Sequence, residues 1–100
     1  MSLSTTQRTA TIKEFKDNMR RLGLTTQQLA QTFNVTPHTI ERIINLQTNR
    51  LEYPWIIRAY LINQAHQQDT ELTPFTALRG DPHDYWFLDN TITDNNTITD

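Results

Sequence analysis

The stretch from Thr25 to Leu46 leaves the chain few folding alternatives. Thr25 and Gln28 have the form of a helix-capping pair, and Leu29, Ala30 and Phe33 follow as apolar positions. Asn34 then interrupts, and among non-glycine residues it is the one that best tolerates a positive φ. Thr36 followed by Pro37 starts a second helix, with a hydroxyl cap and then a proline where the missing N–H costs nothing. Ile40, Ile43, Ile44 and Leu46 carry that helix to about residue 46. Two helices crossing a tight turn need a small residue where they pass closely, and Ala30 meets that need. An alanine, a turn residue four positions on, and apolar residues one, six and nine beyond it satisfy several constraints together. The pattern predicts a helix-turn-helix over residues 25–46, with Leu29, Phe33, Val35, Ile40 and Ile43 turned towards flanking helices.

Those flanking helices are readable too. Ser4 and Gln7 form a second capping pair, and Ile12, Phe15, Met19 and Leu22 recur at helical spacing until Gly23 stops them. This predicts a helix over residues 5–22, with Lys13, Lys16, Asp17, Arg20 and Arg21 on its other face. Pro54 is expected to open a helix over residues 54–68. Its apolar residues, Trp55, Ile56, Ile57, Ala59, Tyr60, Leu61, Ile62 and Ala65, cover most of its girth, so it is either central or shared with a second surface. Thr73-Pro74 predicts a short fifth helix closed by Gly80, and Asp81-Pro82 a turn leading to Tyr85-Trp86-Phe87-Leu88. Thr91 to Asp100 contains Thr-Ile-Thr-Asp twice and is expected to be a polar, disordered tail.

Composition narrows the class. One hundred residues with two glycines favour a single all-α domain over residues 1–90, of four to five helices, with the aromatic C-terminal segment packed back on it. The absence of cysteine excludes disulfides and thiolate metal sites. No run approaches the length of a membrane helix, which takes about 18 apolar residues, and the first residues lack the pattern of a secretory signal. A cytoplasmic protein that does not engage membranes is expected. Residues 1–50 carry seven basic groups against three acidic, whereas residues 51–100 carry two against eight. An electropositive first half is suited to a polyanion.

Gly23–Leu46, GLTTQQLAQTFNVTPHTIERIINL, resembles the DNA-binding motif of the lambda-repressor and Cro-like family. That resemblance implies a transcriptional regulator with residues 37–46 as a recognition helix in the major groove of double-stranded DNA. Thr36, Pro37, His38, Thr39, Glu41, Arg42 and Asn45 would then be presented. Thr36 would bond a phosphate through its hydroxyl and backbone N–H, Arg42 a guanine or phosphate, Asn45 an adenine, and Glu41 a cytosine amino group. Arg20, Arg21 and Arg50 would flank the helix as phosphate clamps. Over about residues 1–89 the chain also resembles a group of small bacterial proteins known only as a domain of unknown function, through ATIKEF, PWIIRAYL and PFTALRGD…YWFLD.

Other chemistries find little support. His38, His66 and His83 are not spaced as metal ligands, and His83-Asp84 beside Tyr85 reads as a solvated turn. No Gly-rich phosphate loop and no nucleophile elbow occurs, so neither enzyme activity nor a cofactor is expected. The alternative to DNA binding is a protein-interaction module on the same scaffold, to which the acidic overall balance, Glu41 and the aromatic second half would be suited. A homodimer through helix 54–68 and Tyr85-Trp86-Phe87 is expected in either case.

Overall fold

The computed structural model describes residues 4–48, 50–78 and 98–99. Among them are four helices: α1 (Thr5–Leu22), α2 (Thr26–Phe33), α3 (Pro37–Ile44) and α4 (Glu52–Gln68), and no strand. No helix among the described residues is long and apolar enough to cross a membrane.

Each of the first three helices starts at a hydroxyl. Ser4 Oγ accepts from Gln7 N–H at 3.2 Å while the Gln7 side chain accepts from Ser4 N–H at 2.9 Å. Thr25 and Gln28 repeat the reciprocal pair at α2, and Thr36 caps α3 with Pro37 in the first turn. Gly23 (φ 69°) and Asn34 (φ 58°) end α1 and α2 in the left-handed conformation. Nothing lies within 4 Å of a Cβ added at Gly23, so an alanine there meets backbone strain alone. Gly23→Ala is expected to cost about 1 kcal/mol, read from the urea midpoint at an unchanged slope.

α1 packs on α4 and α2 on α3, and α3 bridges to both α1 and α4. The shared core joins Phe15 and Met19, Leu29 and Ala30, Ile40 and Ile43, and Ile56, Ile57 and Leu61. Phe33 and Val35 are half-buried against it, Phe33 edge-on to Tyr60 of α4 with ring centroids 5.5 Å apart. Most of the apolar girth of α4 is covered from within the chain: Trp55, Ile56, Ile57, Leu61 and Ala65 are buried, and Tyr60 and Ile62 half-buried. The Arg58 guanidinium lies 5.2 Å from the Trp55 ring centroid and 5.9 Å from that of Phe75.

Several local expectations are corrected. On α1 the buried face includes Thr11, Glu14 and Asn18, while Ile12 is only half-buried. The hydrophobic periodicity missed Glu14 and Asn18 because their partners lie far along the chain, whereas Thr11 satisfies its hydroxyl locally on the Gln7 carbonyl at 2.7 Å. α3 stops at Ile44, two residues short of the expected end, with Asn45 leaving helical geometry and Leu46 at φ 58°. Gln47 closes the turn, its N–H donating to the Arg42 carbonyl at 2.7 Å while its own carbonyl accepts from the Arg42 guanidinium at 3.2 Å. α4 begins at Glu52, and Pro54 falls within the first turn, where N–H groups have no helical partner anyway.

The fifth helix is not formed over residues 73–78, which run as irregular chain and bends. The backbone donors of this segment are taken by α1. Asn18 Oδ1 accepts from Thr73 N–H at 2.7 Å, and Glu14 Oε1 accepts from Thr76 N–H at 3.1 Å. Phe75 and Leu78 are thereby buried, Phe75 edge-on to Phe15 at 5.3 Å. Ile98, in the segment expected to be a loose polar tail, is buried, and Thr99 shares a hydrogen bond with the Tyr53 hydroxyl at 3.1 Å. An average polarity hid the single isoleucine in each Thr-Ile-Thr-Asp copy. Gly80, His83 and Tyr85-Trp86-Phe87 lie outside the described residues.

Candidate functional site

The seating of α3 governs what the chain presents. Ile40, Ile43 and Ile44 are buried, so the opposite side of this short helix is held outward: Thr36, Pro37, His38, Glu41 and Arg42 are exposed and Thr39 half-buried. The Thr36 hydroxyl is committed to the helix start, where it accepts from Thr39 N–H and lies 3.2 Å from the Thr39 hydroxyl. Asn45 is half-buried and acts through its backbone as the cap, its N–H donating to the Glu41 carbonyl at 2.9 Å.

The basic residues separate into two groups. Arg42 and Arg50 line one cavity of about 290 Å³, together with Thr39, Ile43, Thr48, Tyr53 and Thr99. Arg20 and Arg21 do not line it. Arg20 pairs with Asp17 at 2.6 Å on its own helix, and Arg21 donates to the Glu71 carbonyl at 3.4 Å, beyond the end of α4. An exposed pair such as Arg20–Asp17 contributes little to stability, about 0–1 kcal/mol, so Arg20 remains available to another anion.

Sequence reasoning missed four contributors, Thr99 of the C-terminal segment among them. Arg8, in the first turns of α1, reaches across to the Leu46 carbonyl at 3.0 Å and so brings a third cation to the end of α3. Thr48 and Tyr53 enter through the loop after α3 and the first turn of α4. Arg8 was visible only as a charge, because nothing local connects positions 38 residues apart. No group of three or more metal-ligating side chains occurs among the described residues.

These features define an all-helical protein with an outward-held short helix and cations gathered at its end. Residues 1–89 match a family described as uncharacterized protein conserved in bacteria (DUF2316), and the chain belongs to that family. No curated protein and no solved structure matches it.

Proposed function

We propose that α2, the Asn34 turn and α3 act as a helix-turn-helix of lambda-repressor-like type, and that the protein is a non-enzymatic DNA-binding regulator. The observation that carries this reading is the outward presentation of α3 with Arg42 and Arg50 at its end. The buried isoleucines give that helix a fixed seat, so its polar side can meet a major groove without first being ordered. Arg42 serves base or phosphate contact, Arg50 and Arg8 phosphate contact, and Thr36, Pro37, His38 and Thr39 the approach of the helix start. Asn45 reads an edge only if the half-buried turn after α3 opens towards the groove. Arg20 and Arg21 act as outer clamps.

The test is fluorescence anisotropy on duplexes recovered by selection from random sequence, over a series of salt concentrations. Three to five neutralised phosphates per chain give a slope of log K against log salt of about −3 to −4.5, and a dimer doubles it. Arg42→Ala is expected to weaken binding by about 1–3 kcal/mol and to relax sequence preference. Absence of any selected duplex, with all variants indistinguishable, would sink the proposal. A second reading, a protein-interaction module, draws on the exposed Glu41 and on Leu51, a large apolar side chain left 49% exposed beside Arg50. Glu41→Gln separates the two, since removing a negative charge strengthens DNA binding and weakens a docking contact that uses Glu41.

A further inference from the structure

The cavity beside α3 has a one-sided chemistry. Arg42 and Arg50 can only donate hydrogen bonds, the hydroxyls of Thr39, Thr48, Tyr53 and Thr99 line the same space, Tyr53 and Thr99 sharing one bond between them, and none of its lining residues is acidic. Two guanidinium groups facing one space repel each other until an anion lies between them. The Arg42 side chain and the backbone that carries Arg50 are also positioned in advance. The Arg42 fork is held by its bond to the Gln47 carbonyl at 3.2 Å, and the loop carrying Arg50 by the bond from Arg50 N–H to Thr48 Oγ1 at 3.3 Å. The Arg42 guanidinium, held in this way, and the Arg50 guanidinium carried on that loop suit the oxygens of a phosphate.

Size selects the source of that phosphate. About 290 Å³ suits a phosphate group with a small substituent and is too little for an extended cofactor. One wall comes from far along the chain: Thr99 is held by Tyr53 at 3.1 Å, and the neighbouring Ile98 is anchored in the core at 3% exposure. A free phosphate ester fits within a space of this size, whereas a duplex would meet Arg42 and Arg50 from its rim. We propose that the cavity between α3 and the start of α4 binds a small phosphorylated molecule through Arg42 and Arg50. Occupation competes with duplex DNA for the same two side chains, although the site itself does not depend on the DNA-binding reading.

The experiment titrates the full chain with pyrophosphate at low, matched ionic strength and follows backbone amides by NMR. Expected is saturable binding at about 1 mM or tighter, with shifts concentrated at Thr39, Thr48, Arg50, Tyr53 and Thr99. Arg42→Gln and Arg50→Gln each weaken it about tenfold. Both side chains are exposed, so Arg50→Gln keeps the parent melting temperature and Arg42→Gln, which gives up one exposed bond to the Gln47 carbonyl, lowers it only slightly; Tyr53→Phe tests the wall without touching either charge. Shifts that never saturate, that fall on Lys13, Lys16 and Arg20, or that survive both arginine replacements overturn the proposal and leave an adventitious ion only. A duplex competition separates the two readings. Pyrophosphate binding with no duplex bound removes the DNA function and keeps the site, while duplex binding without saturable pyrophosphate does the reverse.

Discussion

Replacing Phe15 with alanine is expected to lower the unfolding free energy by about 3–5 kcal/mol, a large part of what a domain of this size possesses. Phe15 is fully buried, and its ring meets that of Phe75 edge-on at 61°. It therefore joins α1 to a segment that has no helical hydrogen bonds of its own. Removing the ring forfeits its buried area, opens a cavity among rigid neighbours and loosens Phe75 as well. Urea denaturation followed by far-ultraviolet circular dichroism measures the loss. A change below about 1 kcal/mol would mean that the core collapses around the gap and that Phe15 is no anchor.

The second large effect is expected at Asn18. Its Nδ2 donates to the Thr73 carbonyl at 2.9 Å, its Oδ1 accepts from Thr73 N–H at 2.7 Å, and the side chain is fully buried. Alanine leaves both backbone groups of Thr73 without this partner in a partly buried place, at a cost of about 2–4 kcal/mol. Asn18→Asp retains the acceptor and loses the donor. Amide exchange at Thr73 distinguishes a local from a general effect: it should accelerate in Asn18→Ala more than exchange in the middle of α4. Glu14, whose two oxygens accept from Thr76 N–H at 3.1 Å and from the Thr76 hydroxyl at 2.8 Å, belongs to the same strap. Removing both side chains is accordingly expected to be non-additive, because each holds the segment in place for the other. Equal exchange rates in variant and parent would show that Phe75 and Leu78 alone hold this stretch.

The two residues explain why the reading of α1 from its sequence was only half complete. Phe15, Met19 and Leu22 stand out by spacing and are buried, as is Leu29 in α2. Glu14 and Asn18 sit between them, and helical periodicity assigns polar residues to solvent. Their burial depends on partners 62 and 55 residues away, which no local pattern encodes. The same holds at the candidate site. Arg42 and Arg50 were identified as cations near α3, but grouping them with Tyr53 and Thr99 around one space required the fold. Arg20 and Arg21 looked equivalent to them by charge, and their contacts with Asp17 and Glu71 set them apart.

What the sequence by itself determined is the beginning of each of the first three helices and the turn between α2 and α3. Ser4, Thr25 and Thr36 cap, Gly23 and Asn34 take positive φ, and each acts on residues no more than about four positions away. Such short-range chemistry is complete in the sequence and needs no knowledge of the core. The tertiary structure decided the rest: that residues 73–78 form no helix, and that Ile98 enters the core. In each case a backbone or side-chain group had a local option and a distant one. The distant one prevailed because it buried apolar surface while satisfying the polar groups that burial would otherwise strand.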